Sequence, residues 1–223
     1  MVITDEQRKQ FDALIEGKKQ ELIDDADNSK WEFLKEENDV RGYKKHTPGQ
    51  DFYKVKGVCK MKTQKSVVDY FNWYEDTYND TEKRSKIDPQ ILVRRRLYDL
   101  QESTNPEYHN PGSCVLQMLV ETPSSLVSNR EFIAVQKTWF EDNGNKGYRI
   151  HVSIEHPDFP LTSGYVRAKM IFVASTVEKV EDGIIVTSIS QTDPGGWMPT
   201  WLVNATVAGY ALGIGKQRPF FCE

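Results

Sequence analysis

Residues able to do chemistry are scattered along this 223-residue chain rather than grouped. The histidines His46, His109, His151 and His156 have no metal-ligand spacing. The cysteines Cys59, Cys114 and Cys222 are odd in number, far apart and in no Cys-x-x-Cys pattern. A disulfide scaffold and a zinc site are therefore not expected, and a reducing compartment is the default. His151 and Glu155 share the polar face of one strand-like run, which reads as solvated surface first and as an acid–base pair second. Arg94-Arg95-Arg96 also lies in a strand, where its side chains split between faces; a solvated edge is expected, with contact to anionic groups as the second reading. No nucleophile–base pairing is visible, and no cofactor or metal is expected. With 29 basic against 33 acidic residues the net charge is −4, which argues against a nucleic-acid partner.

The elements that must position these residues follow from periodicity. Thr4 with Gln7 is a capping-box signature, and Phe11, Leu14, Ile15, Leu22 and Ile23 recur at helical spacing, so residues 1–25 should form an N-terminal helical segment with the helix itself over 5–24. Residues 30–36 and 39–45 read as a hairpin. In 51–61, Tyr53, Val55, Cys59 and Met61 share one face and Lys54, Lys56 and Lys60 the other, which predicts a half-buried strand with a wet lysine face. Thr63 is the expected cap of a second helix, with Val67, Phe71, Tyr74 and Tyr78 along one stripe. Six more strand-like runs follow, at 90–100, 114–122, 131–140, 147–155, 164–174 and 183–190, separated by turn chemistry such as Asn110-Pro111-Gly112 and Asn143-Gly144-Asn145. Such short breaks favour antiparallel pairing. Pro199 sits near the first turn of a last helix, whose stripe is Trp201, Leu202, Ala205, Ala208 and Leu212.

The fold class is thus α+β, with a curved nine-stranded antiparallel sheet wrapped around a long C-terminal helix over 197–216. One helix cannot fill all the space under a strongly curved sheet, so an internal cavity is expected. One domain over residues 1–223 is expected, since no repeat or linker divides the chain. The first residues lack a secretory pattern, and the apolar run Trp197–Ile214 is interrupted by Pro199 and Asn204, so a cytoplasmic location without a spanning helix is expected.

Three segments, in this order and spacing, resemble the steroidogenic-acute-regulatory-related lipid-transfer (START) domain family. They are Val127-Ser128-Asn129-Arg130-Glu131-Phe132, Gly164-Tyr165-Val166-Arg167-Ala168, and Asp193-Pro194-Gly195-Gly196-Trp197-Met198-Pro199-Thr200-Trp201-Leu202-Val203-Asn204. The resemblance extends over nearly the whole chain. It implies a helix-grip fold enclosing one lipid in a tunnel, and with it non-enzymatic binding and transfer of a phospholipid, sterol or fatty acid by a monomer that touches membranes transiently. Members specific for phosphatidylcholine hold the choline in an aromatic cage. Alignment from the family anchors puts those positions near Leu119, Ile171 and Ile189, none of them aromatic. The stretch that carries a phosphate-binding arginine in those members reads Tyr78-Asn79-Asp80-Thr81-Glu82-Lys83-Arg84 here.

The resemblance puts Arg167 on the cavity side; a buried arginine needs a partner, and Glu155 or Glu121 is the expected carboxylate. The alternation of Val166, Ala168, Met170 and Phe172 puts it outside; the cavity placement is the expectation. Trp197, Trp201, Asn204 and Ala208 join the candidate lining or mouth. Leu126, Val127, Phe159 and Leu161, in the turn-rich segments 123–129 and 156–163, are candidate lid or membrane contacts. Arg130 is expected to be structural, bonding loop carbonyls. For Gly209 and Gly213 close packing against the sheet is the first reading, and a helix that loosens at a membrane the second. Two rival classes remain. An enzyme acting on a small apolar substrate needs ionisable groups converging in the lumen; a sensor binds lipid without transferring it.

Overall fold

The computed structural model describes residues 3–122, 124–198 and 200–223; the side chains of residues 200–202, 204 and 205 lie outside the described set. In chain order the elements are α1 (Asp5–Ala26), β1 (Glu32–Glu37), β2 (Val40–Lys45), β3 (Lys54–Lys62), α2 (Val67–Asn79), α3 (Thr81–Ile87), β4 (Ile91–Gln101), β5 (Ser113–Val120), β6 (Asn129–Glu141), β7 (Lys146–Ser153), β8 (Tyr165–Arg167), β9 (Lys169–Val180), β10 (Gly183–Asp193), α4 (Thr200–Leu212) and α5 (Arg218–Cys222). The expected capping box starts α1: the Gln7 amide donates to Thr4 Oγ1 at 3.2 Å and the Thr4 amide to Gln7 Oε1 at 2.9 Å. The second helix is capped by Ser66 instead of Thr63. The Asp69 amide donates to Ser66 Oγ at 3.0 Å and the Ser66 amide to Asp69 Oδ2 at 2.7 Å, while Thr63 Oγ1 accepts only from the Lys65 amide. The last helix ends earlier than 216, at Leu212, and a 3-10 turn over Gly213–Gln217 leads into α5. The expected place of Pro199 in its first turn falls outside the described residues.

Nine strands form one antiparallel path in the order β1-β2-β3-β10-β9-β7-β6-β5-β4. β8 is a tenth, off that path, and pairs parallel with the start of β6. It arises because the run expected over 164–174 breaks at Ala168, whose amide donates to the Glu131 carbonyl at 2.9 Å.

Strand alternation gives the sheet two unlike faces. The outer face is filled by α1: Phe11, Ile15 and Leu22 pack on Val115, Ile133, Val135, Ile150, Val152, Phe172, Ala174 and Ile189. It also receives the C-terminal end of α1, which overturns the expectation of a wet lysine face. Lys54 and Lys56 are each 1 % exposed. Lys54 pairs with Asp25 at 2.8 Å and with Glu21. Lys56 donates to the Asp25 carbonyl at 2.9 Å, a cation at a helix C-terminus. Burial holds its pKa down to about 8. Of the three lysines only Lys60 stays in water.

The inner face carries α2 over one end and α4 over β1, β2, β3 and β10. The helices come closest to the sheet over glycines. A Cβ on Gly57 of β3 would collide with the carbonyl oxygen of Ala211, and one on Gly147 of β7 with the Phe71 ring of α2. The expected close packing at Gly209 and Gly213 does not occur, since a Cβ at either meets nothing within 4 Å. The tight contact of α4 thus lies at its C-terminal end, where Ala211 and Ile214 are buried. Gly57→Ala should therefore destabilise the fold by about 1–3 kcal/mol through overpacking, whereas Gly209→Ala should stabilise it by up to about 1 kcal/mol through helix propensity. Urea denaturation of both variants checks this, and equal effects would contradict the assigned contact.

Candidate functional site

The pairing register says which side chains share the inner face with α2 and α4. On β10 and β9 they include Val186, Ser188 and Ser190, and Val173, Ser175 and Val177; on β7 Arg149, His151 and Ser153; on β6 and β5 Phe132, Ala134, Gln136, Leu116 and Met118. Where α1 covers the two central strands, the outward residues Phe172, Ala174 and Ile189 are at most 1 % exposed, whereas past its C-terminal end Thr176, Ile185 and Thr187 are half-buried beside an outer-face pocket of about 270 Å³. Their inward neighbours Val173, Ser175, Ser188 and Ser190 are half-buried, as are Met118, Val120 and Ser153. Side chains in the middle of a helix-covered sheet keep accessible surface only where unfilled space lies beside them. The outer face is filled where α1 lies on it; on the inner face the open stretch runs along Val173, Ser175, Ser188 and Ser190.

A polar row crosses this inner face. Arg149 is paired with Thr138 on β6 and with Ser175 on β9, Ser175 with Ser188 on β10, and Ser188 with Gly57 on β3. At its α2 end the row meets a buried charge cluster. Glu75 of α2 accepts from Arg94 through two bonds of 3.0 and 3.1 Å, lies 3.0 Å from Arg149 Nη2, and accepts from Gln136 Nε2 at 3.0 Å. Gln136 Oε1 accepts from Arg94 at 2.8 Å and lies 2.8 Å from His151 Nε2. The Arg149 guanidinium stands over the rings of Phe71 and Tyr74, at 4.9 and 4.6 Å. Two guanidiniums face one carboxylate, so the cluster holds one positive charge in excess. Burial alone would push the Glu75 carboxyl up, but Arg94 and Arg149 hold it down at about 2. Burial, with the same two arginines, pushes the His151 imidazole down to about 3.

Arg94 and His151 therefore leave the solvated positions expected for them, because α2 brings Glu75 onto the inner face. The signal was present in the sequence: Glu75 sits on the same helical stripe as Phe71 and Tyr78, an acid among aromatics. Ser175, Ser188 and Ser190 were missed as well; they alternate with Val173, Val177 and Val186 on the apolar face of their strands.

The residues expected at the site are divided by the register. Leu119 pairs with Glu131 and Ile189 lies against α1, so both belong to the outer face. The alignment is one residue out there, and a one-residue slip turns a side chain to the opposite face. The inward neighbours, Met118 and Val120, Ser188 and Ser190, are again not aromatic. Ile171 has no cross-strand partner, falling in the shift between the pairs Gln191–Phe172 and Thr192–Met170. Ala208 is half-buried on α4; the side chains of Trp201 and Asn204 lie outside the described set.

Arg167 follows alternation and not the cavity placement. Its Nη2 donates to Glu131 at 3.0 Å and to the Phe159 carbonyl at 2.9 Å. Its partner is Glu131, an outer-face residue fully buried and also bonded by Gln117 and Thr162. Neither Glu155 nor Glu121 plays that part; Glu155 pairs with Lys169 at 2.8 Å.

At the open end of the sheet Arg130 staples two loops, donating to the carbonyls of Ser128, Pro194 (2.6 Å) and Gly195 (3.2 Å). Beyond this staple Leu126 is 86 %, Trp197 74 % and Leu161 51 % exposed. Val127 is buried, and Phe159 packs on Tyr98 and His156, so these two lie within the loops. Among the described residues no helix is long and apolar enough to cross a membrane.

Removing the one carboxylate of the cluster leaves two buried cations unpaired, so Glu75→Gln should cost about 3–5 kcal/mol in urea denaturation at pH 7. The pH dependence has a set sign. The unfolded chain takes up a proton at His151 below its ordinary 6.5 and at Glu75 below 4.5, while the folded chain resists down to about 3 and 2. Stability should fall as pH drops from 6.5 toward 3, and His151→Gln should flatten the upper part of that fall.

A family model described as the START domain matches residues 18–218. Rat phosphatidylcholine transfer protein is 27 % identical over 179 residues, which are 78 % of this chain and 75 % of that protein. Human StAR-related lipid transfer protein 5 superposes with a TM-score of 0.72 at 16 % identity, over 96 % of this chain and 99 % of the other. A STAR-related lipid transfer protein fragment of Xanthomonas axonopodis does so with 0.68 at 21 % identity, over 87 % and 99 %. A sheet filled on one face and gripped by a C-terminal helix on the other, with this match over nearly its whole length, makes the chain a member of the START domain family.

Proposed function

We propose that the elements of this chain act as one lipid-binding unit, which holds a single lipid between the inner face and α4 and carries it between intracellular membranes. The observation that supports this most is the contrast within β9 and β10: Phe172, Ala174 and Ile189, directly under α1, are buried, and Val173, Ser175, Ser188 and Ser190 on the side of α4 are only half-buried. Leu116, Met118, Phe132, Met170 and Val173 supply the apolar lining for a hydrocarbon tail. Each methylene kept from water is worth about 0.8 kcal/mol, so two long tails face on the order of 20 kcal/mol outside a membrane. A dry lining removes most of that cost, and transfer needs no covalent step. Arg149, Ser175 and Ser188 form the polar end, where a phosphate, carboxylate or hydroxyl head finds a cation and hydrogen-bond donors. Leu126, Trp197 and Leu161 are the side chains placed to enter a bilayer while the lid opens.

Glu75, Arg94, Arg149 and His151 do converge within hydrogen-bond distance, the arrangement an enzyme would need. Their protonation states favour binding instead. A carboxyl held near 2 and an imidazole near 3 are both fixed at neutral pH, so neither trades a proton there.

Purified protein incubated with mixed liposomes should emerge in native mass spectrometry with one lipid per chain. The double variant Leu126→Asp/Trp197→Asp should keep that stoichiometry but slow vesicle-to-vesicle transfer roughly tenfold, as expected when membrane entry is the costly step. A chain that retains no lipid defeats the proposal; a chain that retains lipid but never transfers it is a sensor.

A further inference from the structure

A cleft of about 700 Å³ opens between α2, α3 and α5, on the helical side of the molecule and away from the inner face of the sheet. That volume suits a small molecule. Its apolar walls are Trp73, Ile87, Phe220 and Phe221. Phe221 is fully buried and packs against Tyr70 and Trp73, each at 5.3 Å, whereas the neighbouring Phe220 ring is 40 % exposed. The rim carries Lys65, Lys83 and Lys86 against Asp69 and Asp76. The Asp69 carboxylate is engaged by the Ser66 amide in the cap of α2. Lys83 and Lys86 have only exposed partners on their own helix turn, Asp80 at 3.8 Å and Glu82 at 3.0 Å, and such pairs exchange readily. The cleft therefore offers apolar walls and a rim with cationic excess.

We propose that this cleft is a second ligand site, which takes a small anionic amphiphile: an apolar body against Trp73 and Phe220, and one sulfate, phosphate or carboxylate group at Lys83 and Lys86. The wall formed by Phe221 belongs to the segment that roots α4. Gln217, in the turn before α5, accepts from the Tyr70 hydroxyl at 2.6 Å, and Lys65 Nζ donates to the Phe221 carbonyl at 2.5 Å. An occupant of the cleft would touch this root without entering the space under α4.

Decyl sulfate, titrated below its micelle concentration and followed by amide NMR shifts, tests the site directly. Saturable shifts are expected at Lys83, Lys86, Ile87 and Phe220. The variant Lys83→Glu/Lys86→Glu should bind about tenfold more weakly or worse, because both attractive charges become repulsive. Lys83→Arg/Lys86→Arg should bind as the parent does, and uncharged decyl glucoside, with the same tail, should bind at least about tenfold more weakly than decyl sulfate. Lack of saturation, shifts confined to Met118, Val173 and Ser188, or unchanged affinity in the charge-reversed variant would each overturn the proposal. Shifts at the cleft are read separately from those under α4, so this site and the lipid site fail independently.

Discussion

A helix can press its backbone onto a sheet only where the sheet offers no side chain. Gly57 under the Ala211 carbonyl is the place where α4 does so, and Gly147 in the same way leaves room for the Phe71 ring of α2; the two fix how closely these helices approach the inner face. α4 is pinned at its C-terminal end and α2 along its middle. Between the two contacts Val173, Ser175, Ser188 and Ser190 keep accessible surface. On the other face α1 brings Phe11, Ile15 and Leu22 into contact with a full row of apolar side chains, and past the end of α1 a pocket of about 270 Å³ remains beside Ala26, Thr176 and Thr187. The same pleat thus builds a packed core under α1 on one side and a more open lining on the other.

The buried charges fit this division of labour. Burying Arg94, Arg149 and Glu75 is costly, and the cost is offset only because every member has partners: a bidentate pair, a bridging Gln136, and the rings of Phe71 and Tyr74 beneath a guanidinium. The cluster fixes α2 to β4, β6 and β7, and its excess positive charge adjoins the row of serines. One constellation then serves twice, as the clamp on α2 and as the polar end of the lining. The Glu131–Arg167 pair is a separate device on the outer face, tying the 154–164 loop to the sheet.

Local signals in the sequence were good guides to the elements. The Thr4–Gln7 box, the turns at Asn110 and Asn143, and the alternation in 51–61 lead to the observed α1, hairpins and β3, and nine strands on one path agree with the run count. What periodicity does not carry is which distant element lands on a given face. Lys54 and Lys56 read as wet until α1 covers them, and Arg94 and His151 read as surface until Glu75 arrives from α2. Leu119 and Ile189 show a different limit. The positions read from the family anchors fall one residue away from the inner face, and in a strand one residue is the difference between lining and outer core. For Arg167 the plain alternation was the better guide, because a strand's pleat is fixed by its own backbone.

The central claim is that a hydrocarbon chain occupies the space between the inner face and α4. Photo-crosslinking with a lipid that carries a diazirine in its acyl chain, followed by mapping of the modified residues, tests it most directly. Adducts concentrated on Met118, Phe132, Met170 and Val173 are the predicted result. Adducts on Ile15, Phe172 and Ile189, or spread over the exterior with none on the inner face, would contradict it.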